Sequence, residues 1–316
     1  MVKHDKPKYS VVVPINNEEA VLPEFVRRLV LVLEKLSSYE IIFVNDGSTD
    51  RSEALIEHFC DENPSVKLIS FSRNFGHQAA ATAGLAYSAG EVVAVIDGDL
   101  QDPPEVLPEF FSKWEEGYQV VYAIRRKRKE NIVKRGAYFC FYRILKVLSD
   151  IPIPVDSGDF SVMDRVIVDK LNAMPEHNRF IRGIRAWLGY SQIGLEYDRQ
   201  ERVAGKSQYT ISKLFNLAYD GVISFSRRPL IVATRLGLAT TSVAFIYAAV
   251  ILWRKFFLGI ELRGWTTIVV IVLFLGGTQL LMLGILGEYI GRIFDETKGR
   301  PNYIVARTKN VGTISE

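Results

Sequence analysis

The chain has 316 residues, room for one large domain and an appendage. Its 39 Lys and Arg against 36 Asp and Glu leave a net charge of +3, too small to call for a nucleic-acid partner. The two cysteines, Cys60 and Cys140, form no metal-ligand cluster and suggest a reducing compartment, and His4, His58, His77 and His177 lack the H-x-x-x-H spacing of a zinc site.

The first residues have no apolar h-region, so no signal peptide is expected. Residues 9–13 read as a strand ending at Pro14, with Asn16, Asn17, Glu18 and Glu19 after it. Leu22, Phe25, Val26, Leu29, Val30 and Leu33 then repeat with a helical period. Residues 40–45 form a second buried strand that runs into Asp46-Gly47-Ser48-Thr49-Asp50, a turn and helix cap. Residues 66–71 make a third strand, followed by Ser72-Arg73-Asn74-Phe75-Gly76 and a small-residue helix over 79–89. Strands over 91–96 and 119–124 follow. Alternating strands and helices predict an α/β fold with a mostly parallel, doubly wound sheet and helices on both faces. In such sheets ligands bind beyond the carboxyl ends of the strands, so the polar clusters should converge at one edge.

The cluster after residue 96 is the most telling: Asp97-Gly98-Asp99-Leu100-Gln101-Asp102-Pro103-Pro104-Glu105. Alone it could be a turn before a helix started by the prolines, with Asp102 serving that turn. Beside Asp46, Asn16 and Glu18, it gathers acids and amides that are costly to bury unless a cation or hydrogen-bonding ligand fills the space. Two carboxylates at an open cleft suit a hard divalent ion shared with substrate phosphates, and Asp46 suits a base or ribose. Arg125 and Arg126 follow a strand facing the same edge and could meet a phosphate; Lys127, Arg128 and Lys129 fit solvent or anionic headgroups. Asp156 and Asp159 flank Ser157-Gly158 and could be turn residues or a second substrate contact.

A polar loop over 200–209 precedes an amphipathic stretch, Ile211 to Phe225, that reads as an interfacial helix. Residues 230–253 carry a single charge, Arg235, and residues 265–287 carry none, while a membrane-spanning helix needs about 20 apolar residues. Trp253, Arg254, Lys255 and Trp265 supply interfacial flanks to this hairpin. Arg227, Arg228, Arg292, Lys298 and Arg300 outside it, against Arg254, Lys255 and Arg263 within it, favour a cytoplasmic main domain. Gly276, Gly277, Gly284, Gly287 and Gly291 offer close helix packing within or between chains, and a homo-oligomer is expected. The expected layout is a catalytic domain over 1–210, an interfacial helix over 211–228, a hairpin over 229–291 and a cytoplasmic tail over 292–316.

Val13-Pro-Ile-Asn-Asn-Glu18, Val44-Asn-Asp-Gly-Ser-Thr-Asp50, Asp97-Gly-Asp-Leu-Gln-Asp-Pro-Pro-Glu105 and Asp156-Ser-Gly-Asp-Phe160 together resemble the motif set of inverting family 2 glycosyltransferases of the GT-A (Rossmann-like) fold. The set is similar to the dolichol-phosphate mannose synthase branch. With Gly205-Lys-Ser207 and two C-terminal spans it is most similar to bacterial polyprenyl-phosphate (bactoprenol) glucosyltransferases. The resemblance implies that Pro14, Asn16, Glu18, Val44, Asp46, Ser48, Asp97 and Gly98 hold a nucleotide-diphosphate sugar. It implies that Asp99 and Gln101, with Asp97 beside them, bind Mg²⁺ or Mn²⁺. It also implies that Asp97, Asp156 and Asp159 serve catalysis. Arg125, Arg126, Arg135, Arg202, Lys206 and Ser207 would meet the acceptor phosphate. Many relatives have Tyr at the position of Asn16.

The implied reaction moves a hexose, glucose from UDP-glucose, to polyprenyl (undecaprenyl) phosphate at the inner membrane of a bacterium, with inversion. GDP-mannose and UDP-N-acetylhexosamine are alternative donors. A processive polysaccharide synthase would need more spans, and a non-catalytic membrane subunit would not need intact acids at Asp46, Asp97 and Asp99.

Overall fold

The protein is described by a computed structural model covering residues 6–125, 157–176, 179–198, 228–258 and 264–312. The apolar runs become strands β1 (Tyr9–Ile15), β2 (Tyr39–Asn45), β3 (Val66–Phe71), β4 (Val92–Val95) and β5 (Val120–Arg125). Three further strands appear: β6 (Ser157–Asp164), β7 (Gln192–Tyr197) and β8 (Val305–Lys309). All eight join one sheet in the order β7-β5-β6-β4-β1-β2-β3-β8. β1 pairs in parallel with β2 and β4, β2 with β3, and β5 with β7. β6 is antiparallel to both β4 and β5, so β5 and β7 run the same way as β1 to β4. β8 is antiparallel to β3. The sheet is therefore mostly parallel and mixed, with reversed strands at β6 and β8.

Helices cover both faces. Val11, Val13, Ile15, Ile41 and Phe43 turn to one side, where α1 (Leu22–Leu33), α2 (Ser52–Glu62) and α4 (Leu107–Glu115) bury Phe25, Leu29, Ile56, Phe110 and Phe111. Val12, Val93 and Val95 turn to the other side, against α3 (His77–Tyr87), α5 (Arg165–Ala173) and α6 (Ile181–Trp187). Fully burying one such Leu, Val or Phe is worth about 1.5–3 kcal/mol, which makes these two layers the chief stabilising term. The small residues of α3 have a steric cause: a Cβ on Gly84 would lie 2.0 Å from Val12 Cγ1, so α3 rests directly on β1.

α7 (Arg228–Leu258) and α8 (Trp265–Thr297) contain segments, Leu230–Ile251 and Ile268–Thr297, long and apolar enough to cross a bilayer. Leu238, Phe245 and Phe256 are exposed, so the described residues leave these side chains uncovered. Four of the helices' hydroxyls are satisfied internally: Thr234, Thr240, Ser242 and Thr278 each donate to the carbonyl four residues back, at 2.8–3.0 Å. A Cβ on Gly237 would come within 3.2 Å of Met282 Cε, marking a contact between the two helices. A Cβ on Gly276, Gly277, Gly284, Gly287 or Gly291 would meet nothing within 4 Å. Among the described residues those glycines therefore make no close contact outside their own helix.

The second helix continues well past residue 287, to Thr297. Gly299, at φ +57, turns the chain, and β8 then joins the sheet beside β3. Ser72 N donates to Ile304 O at 3.0 Å, and the rings of Phe71 and Tyr303 stack 5.0 Å apart. Arg307 reaches Glu53 at 2.8 Å and Glu57 at 2.9 Å, and Lys309 reaches Asp61 at 2.6 Å. Residues 305–309 are thus part of the sheet of the main domain. The interfacial helix expected at 211–225 lies outside the described residues.

Candidate active site

Strand direction brings the polar clusters to one edge. β1, β2, β3 and β4 all end there, and β6, running the other way, begins there. β8 also enters at this edge, since Val305 pairs with Phe71, the last residue of β3.

Asp46 follows β2 and is 3% exposed. Its Oδ1 accepts from Phe75 N at 2.6 Å and its Oδ2 from Gly76 N at 2.9 Å. Burial raises its pKa above the ordinary carboxyl value, opposed by these two N–H groups. Gly47 lies at φ +64, and a Cβ there would sit 2.6 Å from backbone atoms of Arg73 and Asn74. The turn after β2 and the loop after β3 are therefore clamped together. The loop after β1 joins them: Asn16 Nδ2 donates to Asp46 O at 2.7 Å, and Asn17 N donates to Ser48 Oγ at 3.0 Å. Asn17 Oδ1 accepts from Thr49 N at 2.7 Å, and Glu18 N donates to Ser52 Oγ at 2.9 Å. Pro14 and Val44 are buried within their strands, so their side chains belong to the core.

The second cluster lies beyond β4. A Cβ on Gly98 would lie 2.3 Å from Ile15 Cδ1, so only glycine lets the acid loop settle on β1. Asp99 is nearly buried, and its Oδ1 accepts from Gln101 N at 3.1 Å. Leu100 between them holds φ +60, a left-handed conformation rare for a bulky side chain and often found where a site stores backbone strain. Asp102 is fully buried and accepts a hydrogen bond from the Tyr197 hydroxyl at the end of β7. It ties β7 beneath the loop and does more than serve the turn before Pro103.

Asp97 and Asp159 arrive from neighbouring antiparallel strands, and His77 stands between them. Its Nε2 is 3.6 Å from Asp97 Oδ1 and 3.5 Å from Asp159 Oδ2. Asp159 Oδ1 accepts from Arg182 Nη2 at 3.1 Å, and its Oδ2 accepts from Gln78 Nε2 at 3.2 Å. Gln78 Oε1 accepts in turn from Ile181 N at 3.1 Å, fixing the start of α6. Burial, helped by the charges of Asp102, Asp159 and Asp99, pushes the Asp97 carboxyl up to about 6 although His77 opposes it. For His77, burial alone would lower the pKa. The bond to Asp159 and the Asp97 charge outweigh it and raise the value to about 9, so the imidazole is cationic at neutral pH. Burial pushes the Asp159 carboxyl up, but Arg182 and His77 prevail and hold it well below the ordinary range.

Residues 10–171 match the sequence profile of glycosyl transferase family 2. The chain is 46% identical over 306 residues to the uncharacterized glycosyltransferase YkcC of Bacillus subtilis, covering 96% of this chain and 95% of that protein. The chain belongs to glycosyl transferase family 2. This glycosyltransferase is also 43% identical to the prophage bactoprenol glucosyl transferase homolog of Escherichia coli, over 96% of this chain and 99% of that one. It is equally, at 43%, identical to the bactoprenol glucosyl transferase of Shigella phage SfX, over 96% and 100% of the two chains.

In this glycosyltransferase the structure unites Asn16, Glu18, Asp46, Ser48, Asp97, Gly98, Asp99, Gln101 and Asp159 at one sheet edge. Arg125 closes β5 opposite Tyr197 of β7. Arg126, Arg135, Asp156, Arg202, Lys206 and Ser207 lie outside the described residues. Sequence reasoning missed His77, Gln78 and Arg182. The zinc-type spacing of histidines does not single out His77; its position just after Gly76, at the start of α3, is the available signal.

Proposed function

We propose that this glycosyltransferase moves glucose from UDP-glucose to a polyprenyl phosphate, with inversion, at the cytoplasmic face of a bacterial inner membrane. One observation carries the reading: the strand ends that gather Asp46, Asp97, Asp99 and Asp159 share an edge with the point where the chain returns from its apolar helix pair. On this reading the edge that holds the charged sugar donor would face the side on which a lipid acceptor lies. The names of the Escherichia coli and phage relatives support both the sugar and the lipid. Small glycines on α8 that meet nothing outside their own helix among the described residues support a homo-oligomer.

The donor set fits a divalent metal. Among the described residues no three His, Cys, Asp or Glu side chains form a ready cage. Mg²⁺-type sites, however, use one or two carboxylates and complete themselves with substrate phosphates and water. Asp97 and Asp99 offer hard oxygens on one loop with Gln101, and the neighbouring acids that raise the Asp97 carboxyl make a cation favourable there. Asp97, Asp99 and Gln101 would hold Mg²⁺ or Mn²⁺. When bound, the ion neutralises charge on the departing diphosphate.

The remaining work falls to this chain. The clamped loops at Asn16–Glu18 and Asp46–Ser48 seat the nucleotide. His77, cationic at neutral pH, stands between the leaving-group acids and Asp159. The acceptor needs little activation, since a phosphate monoester has a second pKa of about 6 and is already anionic. Arg125, Arg126, Arg135, Arg202, Lys206 and Ser207 screen its approach to the diphosphate and fix its oxygen in line. That oxygen forms the new bond to the anomeric carbon as the bond to the diphosphate breaks, and the nucleoside diphosphate leaves. Asp156 and Asp159 orient sugar and acceptor. The test is transfer of labelled UDP-glucose by purified protein with Mn²⁺, with and without undecaprenyl phosphate, the product followed by mass. A lipid gaining one hexose supports the reading, and donor turnover that ignores the lipid would reject it.

A further inference from the structure

α6 carries two arginines one turn apart in opposite circumstances. Arg182 is partly exposed and bonded to Asp159 at 3.1 Å. Arg185 is 1% exposed, and among the described residues none of its three guanidinium nitrogens has a hydrogen-bond partner. Its guanidinium lies 5.5 Å from the centre of the Tyr122 ring, a contact that uses no N–H donor. Burial lowers its pKa to about 10, which leaves it charged at neutral pH. A buried cation without a hydrogen-bonded counter-ion is costly and calls for a reason.

The local charge balance supplies one. Asp159 is the anion that favours the charge on Arg185. Its oxygens are already engaged by Arg182 and Gln78, with His77 3.5 Å away. His77 also faces Asp97. On the α6 side two guanidinium groups, Arg182 and Arg185, thus stand around one carboxylate, Asp159, away from the Asp97–Gln101 loop. A poorly screened positive charge at a cleft wall attracts an anion, and a guanidinium fork such as that of Arg182 suits phosphate oxygens.

We propose that the α6 wall is an anion subsite for a phosphate monoester, with Arg182 touching the anion and Arg185 acting as the positioning residue behind it. This rests on the acceptor reading above and names the wall against which the acceptor's phosphate lies. The donor diphosphate belongs to the acid loop on the other side of Asp159. Arg185 is too buried to touch the phosphate. It offsets the Asp159 charge, so that Arg182 can turn part of its fork to the incoming anion.

The experiment compares Arg185→Met, Arg185→Lys and Arg182→Gln in the full-length protein, using a short-chain prenyl phosphate as acceptor. Arg185→Met keeps volume and apolar contact, so folding should survive. The expected result is an acceptor KM raised about tenfold in Arg185→Met and Arg182→Gln, with donor KM within about twofold. Arg185→Lys, which keeps the charge, should recover most of the loss. Inorganic phosphate should compete with the prenyl phosphate in the native protein and lose potency in both neutralised variants. If only the prenyl phosphate loses affinity, the subsite reads the lipid and not the phosphate, and the proposal falls. Equal shifts in donor and acceptor KM, or no shift, would also overturn it. A native protein that glucosylates no prenyl phosphate would instead sink the acceptor reading itself.

Discussion

A carboxylate can serve a substrate only with the lone pairs its own chain leaves open. Asp46 accepts a backbone N–H on each oxygen, so its first effect is to fix the loop after β3. Asp46→Asn would put an NH₂ group against one of those N–H donors. A stability loss of about 1–3 kcal/mol, read by urea denaturation, should accompany a raised donor KM. Asp99, on the acid loop beside Asp97 and Gln101, is tested by Asp99→Ala, which should abolish Mn²⁺-dependent transfer with its thermal midpoint nearly kept. Normal turnover in that variant would refute the metal assignment. His77 gives a pH signature. Its folded pKa of about 9 lies above the ordinary 6.5, so the native state binds more protons between those values. Its stabilising contribution is complete below about pH 6.5 and is lost as pH rises through 9. Thermal midpoints taken from pH 6 to 9.5 should fall with pH, and His77→Gln should flatten that slope. The acids at 97 and 99 were legible because their chemistry is contiguous. His77, Asp159 and Arg182 meet only through the β4–β6 pairing and α3, which no local pattern reveals.

At the scale of elements, the legible strands were those buried on both faces. β1 is buried throughout and β2 almost throughout, and such strands announce themselves as unbroken apolar runs. β7 is half-buried along most of its length and β8 largely exposed, so both blend into polar sequence. β6 was obscured because its first residues, Ser157-Gly158-Asp159, carry turn chemistry while forming a strand. Composition did foreshadow the closeness of α3 to the sheet. Gly84→Ala should cost about 1–3 kcal/mol by overpacking against Val12, measured by chemical denaturation. An unaltered midpoint would mean that α3 can lift from β1 without penalty.

For the whole molecule, the fold class expected from the sequence is the one observed: a mostly parallel α/β sheet, then two long apolar helices. What composition could not show is that the chain comes back. A protein cut at residue 227 would lose β8 along with the helices and bare the outer edge of β3, an open template for association with other chains. It should aggregate or melt earlier than the same fragment with residues 300–312 restored through a flexible linker, a comparison light scattering and thermal melts can make. β8 also has a mechanical meaning. If the helix pair lies in a bilayer, as proposed, a domain hung from it by one thread would swing and roll, and the pairing of β8 with β3 adds a hold at Val305 that restricts that motion. In the proposed reaction, the encounter between a sugar donor from the water and a lipid from the membrane would thereby narrow from a search over orientations toward a search in a plane.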